Sequence, residues 1–197
     1  MIAIVDCGMG NLHSMEAGLR RAGAAVRLVD TAVDIETADK IVFPGDGHFA
    51  ACIKAIEARG LRDALVRAAA TKPFLGVCIG MQVLYESSDE APGAVGLGVL
   101  RGRIRRLPSG VGKIPHIGWN TLQQTRPHPI LHGVEEAARF YFVHSYYAAP
   151  DEETIAQTEY GVPIAALSAR DMLIAAQFHP EKSGRVGAQL LKYFVAS

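Results

Sequence analysis

The sequence predicts an α/β fold with a central, mostly parallel sheet, helices on both faces and an antiparallel extension. Three observations carry this. In the first half, short apolar runs rich in β-branched residues alternate with amphipathic helical stretches, the pattern of parallel strands joined by crossover helices. After Pro92 the helices stop, and closely spaced strand-like runs follow one another, which favours antiparallel pairing. The 197 residues, 49% of them hydrophobic, suit one domain with a sizeable core.

Residues 2–6, IAIVD, are a short apolar run and read as the first strand. GMGN then turns the chain, and residues 12–23 have helical spacing, with Gly23 as the stop. Residues 26–30 (VRLVD) and 40–45 (KIVFPG) read as the second and third strands. Residues 48–70 are helical, broken near Gly60, and 73–78 (PFLGVC) form a fourth strand leading into a helix, GMQVLYESS. Beyond Pro92, LGVLRGRIRRL, IGWNTLQ, RFYFVHSYYAA, TIAQTEY, IAALSAR and MLIAAQFH read as strands, and residues 184–196 as a covering helix. No repeat, linker or low-complexity segment divides the chain, so a single domain over residues 1–197 is expected.

Composition excludes several classes of function. Twenty basic and twenty acidic residues cancel, leaving no electrostatic footprint for nucleic acid or an anionic membrane. No apolar run is long enough to span a bilayer, and MIAIVDCGMGN has no signal-peptide pattern. Three widely spaced cysteines suggest neither a disulfide framework nor a zinc knuckle. A reducing compartment, the cytoplasm, is the expectation.

The chemistry concentrates at residues 76–80, GVCIG. Strand, G-x-C-x-G and helix form the cysteine version of a nucleophile elbow. The sharp turn presents the sulfur at the carboxyl end of the sheet, where open α/β folds bind ligands, and the glycines let backbone approach without a Cβ in the way. Cys7 and Cys52 read instead as buried structural thiols.

A cysteine nucleophile needs a base, and the base needs an orienting group. Of the seven histidines, His128 and His132 lie in a Pro-rich loop and read as solvated, His13 and His48 sit near helix starts without a visible partner, and His116 and His144 read as structural. His179 stands apart in QFHPEKS, at the end of an apolar strand and before a proline that forces extended backbone. Glu181, two residues on, leaves an extended chain on the same side and can fix the imidazole's tautomer. FPGDGHF (43–49) supplies a glycine-rich loop for an oxyanion hole. GMGNLHS (8–14) lacks the third glycine of a dinucleotide fingerprint and GVGK (110–113) is no P-loop, so no bound nucleotide cofactor is expected; no other cofactor and no metal are expected either.

PGDG, GVCIGMQ and HPEKS, in this order, resemble the class I (triad) glutamine amidotransferases, over most of the chain. The resemblance implies a flavodoxin-like fold, with Cys78 as nucleophile, His179 as general base and acid, and Glu181 as orienting carboxylate. It implies that Gln82 helps hold the substrate L-glutamine, that backbone at Gly45, Gly47 and Ile79 forms the oxyanion site, and that His144, Ser145 and Tyr146 line the glutamine pocket. IAIVDCGMGNLHS (2–14), KIPHIGWN (113–120) and YFVHSYY (141–147) are most similar to the glutaminase subunits of imidazole glycerol phosphate synthases, in histidine biosynthesis. That implies a heterodimer with a (β/α)8-barrel cyclase subunit that receives the ammonia, with Asn11, Trp119, Asn120 and Lys182 at or near the interface. Amidotransferases of anthranilate or aminodeoxychorismate synthase type are the nearest alternative, and KIPHIGWN and the N-terminal segment argue against them. Cysteine hydrolases and chaperones with the same elbow carry a histidine directly after the cysteine, where this chain has Ile79. A non-catalytic subunit would not keep the Cys78, His179 and Glu181 set intact.

Asp46 departs from the pattern, because a carboxylate beside a thiolate and a developing oxyanion repels both. The expectation is that Asp46 points away from Cys78; the alternative is that it raises the resting barrier to idle hydrolysis.

Overall fold

The computed structural model describes residues 1–135 and 137–197. Strand and helix alternate through the first half: β1 (Ile2–Val5), α1 (Leu12–Arg21), β2 (Val26–Val29), α2 (Ala32–Thr37), β3 (Lys40–Gly45), α3 (Phe49–Ala58), α4 (Arg62–Thr71), β4 (Phe74–Cys78) and α5 (Ile79–Gln82). The second half holds β5 (Ser87–Ser88), β6 (Arg103–Arg106), β7 (His116–Thr121), β8 (Gln123–Gln124), β9 (Arg139–His144), β10 (Tyr146–Tyr147), β11 (Thr154–Glu159), β12 (Pro163–Arg170), β13 (Leu173–Ala176) and α6 (Gly184–Ala196). Helix starts follow capping chemistry: Asn11 accepts from the Ser14 N–H at α1, and Thr31 accepts from the Asp34 N–H at α2.

Eight strands form one sheet in the order β2-β1-β3-β4-β13-β12-β11-β8. From β2 to β13 neighbouring strands run parallel; β12, β11 and β8 are added antiparallel. Strands β1, β4 and β13 are buried along their whole length, as a sheet covered on both faces requires. One face packs Phe43, Phe49, Ile56 and Phe74 under α3 and α4; the other packs Met15, Phe140, Phe178 and Phe194 under α1 and α6. Each such aromatic contributes about 1.5–3 kcal/mol of burial free energy.

The structure differs from the sequence reading in three places. Helix α2 was not foreseen: six residues are too short to show periodicity, and the Thr31 cap is its main signal. The helix expected over GMQVLYESS stops at Gln82, because the following loop takes the carbonyls that would continue it: Leu97 N–H donates to Val83 O at 2.7 Å and Leu100 N–H to Leu84 O at 2.9 Å. The second half does not simply extend the main sheet. β7 pairs with β9 in a separate ribbon, and β10, β6 and β5 form a third sheet. Of LGVLRGRIRRL, only Arg103–Arg106 is a strand.

Candidate active site

Three adjacent parallel strands deliver the site. Register places Gly45 of β3 beside Cys78 of β4, and Ala176 of β13 beside Val77. The residues leaving the carboxyl ends are therefore Asp46, Cys78 and the segment 177–179. This is the edge where α/β sheets bind ligands.

Cys78 has φ 55° and ψ −111°, a conformation that costs a non-glycine residue about 1–3 kcal/mol. The packing that holds it there needs both flanking glycines. A Cβ on Gly80 would lie 1.8 Å from the Phe43 carbonyl oxygen, and one on Gly76 would lie 2.8 Å from Gly80 O. Helix α5 thus presses directly on β3 and β4, and the sulfur turns into the cavity.

His179 is held from both sides. Its N–H donates to Tyr141 O at 2.9 Å, bridging to β9, and its carbonyl accepts from Ser183 Oγ at 2.6 Å. Ser183 Oγ in turn accepts from the Tyr141 N–H at 3.0 Å. Pro180 starts a short 3₁₀ turn, Pro180–Lys182, which brings Glu181 back to the ring. Glu181 Oε1 lies 2.8 Å from Nδ1, and both side chains are only 3% exposed. Nε2 is buried and has no hydrogen-bond partner among the described residues, and a nitrogen of the ring lies within 4.8 Å of the Cys78 sulfur. Burial opposes a charge on this ring, but the Cys78 sulfur and the Glu181 carboxylate outweigh it and raise His179 to about 10.

A cavity of about 420 Å³ opens over the sulfur, a volume suited to a small molecule. Gly47, Ile79, Gln82, His144, Ser145 and Tyr146 all line it with Cys78. Gly45 does not; it packs behind, where its missing side chain makes room for Ile79. Gln82 lines the wall, but its amide nitrogen is already committed to Tyr146 O at 2.9 Å and Gln177 Oε1 at 3.0 Å. His144 and His116 form a neutral pair. His144 Nδ1 lies 3.0 Å from Tyr146 O, so it carries the proton, and His144 Nε2 accepts from His116 Nδ1 at 3.1 Å. Burial lowers His116 to about 4; burial and the neighbouring imidazole lower His144 to about 3.

Other expected residues lie around the rim. Lys182 reaches the cavity wall. Trp119 is 51% exposed on β7, edge-on to Tyr141, which itself lines the cavity. Asn120 donates to Glu159 O at 2.9 Å. Asn11 caps α1, and the neighbouring Gly10 packs on the backbone of Gly45 and Asp46. Cys7 and Cys52 are buried, and burial raises Cys7 to about 11 and Cys52 further. His48 caps α3, and His128 is half-buried and caps a 3₁₀ turn rather than being solvated.

The expectation for Asp46 is overturned. Its Oδ1 lies 3.5 Å from His179 Nε2, its Oδ2 lies 3.9 Å from Lys182 Nζ, and its carboxylate comes within 4.8 Å of the Cys78 sulfur. Two cations draw the side chain inward, and that attraction outweighs the repulsion from sulfur on which the expectation rested. Gln177 and Tyr141 were missed. Gln177 is fully buried and directs Nε2 at the sulfur from 3.9 Å; its only signal was a polar residue ending an apolar strand.

Comparison with known proteins bears on the family. The profile of the family "Glutamine amidotransferase class-I" matches residues 3–197. The HisH subunit of imidazole glycerol phosphate synthase from Nitrosomonas europaea is 44% identical, over 98% of this chain and 97% of its own length. The corresponding subunit from Desulfitobacterium hafniense is 46% identical, over 98% and 93%. A crystal structure of a glutamine amidotransferase superposes with a TM-score of 0.75 at 20% identity, covering 100% of this chain and 98% of that one. A match across nearly every residue, at this identity, leaves one assignment: the chain belongs to the class-I glutamine amidotransferase family.

Proposed function

We propose that this chain is the glutaminase subunit of an imidazole glycerol phosphate synthase and hydrolyses L-glutamine through Cys78, His179 and Glu181. The carrying observation is the elbow itself: Cys78 lines a cavity of about 420 Å³, beside a carboxylate-held imidazole.

Cys78 Sγ attacks the side-chain carboxamide carbon, and the tetrahedral oxyanion is held by backbone N–H groups near Gly47 and Ile79. The C–N bond breaks as His179 Nε2 gives its proton to the leaving nitrogen, which departs as ammonia. Water then attacks the glutamyl thioester with His179 as base, releasing glutamate and the Cys78 thiol. Glu181 keeps Nδ1 protonated, so that Nε2 performs both transfers. Gln82 acts by positioning: it ties α5 to the Tyr146 backbone and so fixes the pocket wall.

The ammonia passes to a (β/α)8-barrel cyclase subunit, which couples it to a ribotide substrate. Lys182 at the cavity wall and the exposed Trp119 beside the cavity-lining Tyr141 support an interface here, at which Asn11, Trp119, Asn120 and Lys182 meet that partner. None of the described helices is long and apolar enough to cross a membrane; we place the chain in the cytoplasm. The test is glutamate release from glutamine, with and without a cyclase subunit and its ribotide. Cys78→Ala abolishes release, and the partner with its ligand raises it. Release that survives Cys78→Ala, or full activity of the isolated chain, overturns the respective part of the reading.

A further inference from the structure

Asp46 turns the candidate triad into something the sequence did not predict. A carboxylate oxygen of Asp46, the sulfur of Cys78 and a ring nitrogen of His179 all lie within 4.8 Å of one another, and Nε2 is the nitrogen facing Asp46. These are the oxygen, sulfur and nitrogen donors that a zinc-type cation accepts together, and three protein ligands leave a fourth position for water. Tetrahedral bonds of about 2.0–2.3 Å put neighbouring donor atoms about 3.3–3.6 Å apart. The Asp46 Oδ1 to His179 Nε2 distance is 3.5 Å, already in that window.

Nε2 is an independent pointer to a ligand. It is buried, lacks a hydrogen-bond partner among the described residues, and belongs to a side chain only 3% exposed. Glu181 takes the Nδ1 side at 2.8 Å, so a ring that yields its second proton to an incoming cation presents its lone pair at Nε2. That is the carboxylate–histidine support common behind metal-bound imidazoles. Lys182 holds Asp46 by Oδ2 at 3.9 Å and leaves Oδ1 free. The Asp46 and Glu181 carboxylates, 3.5 and 2.8 Å from the two ring nitrogens, place negative charge on both sides of the ring and favour a divalent cation there.

We propose that Asp46, Cys78 and His179 bind one borderline-soft divalent cation of the zinc type, and that its binding reversibly switches off glutamine hydrolysis. The proposal rests on the reading of Cys78 as nucleophile: the cation caps the sulfur and occupies the nitrogen that must move protons. No spacing in the sequence announces the site, because its ligands come from the ends of three strands that are neighbours only in the sheet.

Zinc ion alone is the probe, on the full chain. One equivalent binds, measured by competition with a chromophoric chelator, and the loss of glutaminase activity tracks occupancy and is restored by a stronger chelator. Cobalt in place of zinc gives a sulfur-to-metal charge-transfer band that Cys78→Ala removes. Asp46→Asn, with inhibition normalised to its own metal-free rate, raises the zinc midpoint by roughly tenfold or more. An equal midpoint in Asp46→Asn, or a cobalt adduct without the sulfur band, overturns the site. The cobalt spectrum needs no turnover. A chain with the band but no glutaminase activity would refute the functional reading and leave the metal site standing.

Discussion

Glu181→Gln tests the site most directly. Glutamine keeps the shape of the side chain and an oxygen for the Nδ1 proton, so the change removes charge and little else. Glu181 Oε1 lies 2.8 Å from Nδ1 with both side chains 3% exposed. At an effective dielectric of about 20, that pair is worth at most about 6 kcal/mol. The neutral bond that remains returns part of this, since charge-assisted bonds exceed neutral ones by only about 1–2 kcal/mol. A loss between these two bounds, about 3 kcal/mol in imidazolium stabilisation, is roughly a hundredfold in kcat. The same energy is about two pH units, so His179, held at about 10 in the parent, gives up its proton correspondingly earlier. The assay is the pH profile of kcat/KM for glutamate release. Its alkaline limb, set by loss of the imidazolium, moves down by about two units. A variant with parental kcat and an unmoved limb would refute the assignment of Glu181 as the group that holds the proton on His179.

Two further outcomes concern stability. Gly80→Ala puts a methyl 1.8 Å from the Phe43 carbonyl oxygen, so α5 must leave the sheet; a loss of about 3 kcal/mol or more is expected in urea unfolding, and parental stability would show that the contact yields freely. The His116–His144 pair gives acid sensitivity. Both pKa values are depressed from 6.5, to about 4 and about 3, so the unfolded chain binds more protons as pH falls. Their stabilisation is full above 6.5 and is lost between there and about 3, in all about 3 kcal/mol or more for the coupled pair. His179 has the opposite sign: its contribution is full below 6.5 and fades as pH rises through about 10. Thermal melts of the double variant His116→Gln/His144→Gln should lose most of the acid-side slope, and an unchanged slope would place that sensitivity elsewhere.

What was legible in the sequence was what is local. The strands of the parallel half announce themselves by apolar runs, and the elbow and the His179–Glu181 unit are each complete within a few residues. Their spatial meeting follows from β3, β4 and β13 being neighbours, which the resemblance implied and periodicity alone did not contain. Elements too short to show a period escaped: α2 at six residues and β5 at two; β10 falls inside the expected strand RFYFVHSYYAA, but its separation from β9 did not show. The early end of α5 was invisible because long-range donors at Leu97 and Leu100 decide it. Gln177 was hidden because a buried amide in a strand is meaningful only once its partners, Gln82 and the Cys78 sulfur, are known.

Asp46 was misjudged for an instructive reason. Repulsion from sulfur is one half of its balance, and attraction to the ring is the other. With a dielectric of about 20, a carboxylate 3.5 Å from Nε2 stabilises an imidazolium by about 4.7 kcal/mol. At the 4.8 Å limit it destabilises a thiolate by about 3.5 kcal/mol under the same assumption. The difference, about 1.2 kcal/mol, is an upper bound, because the side chain is 38% exposed and solvent screens both terms. Asp46 therefore nearly cancels itself for an imidazolium–thiolate pair. For a divalent cation bonded to both groups nothing cancels, since every donor adds. Asp46→Asn should change metal-free kcat/KM by less than about tenfold, measured with chelator present, while shifting the zinc midpoint by at least as much as that limit. A large metal-free change with an unmoved zinc midpoint would reverse the argument and make Asp46 a residue of the proton chemistry.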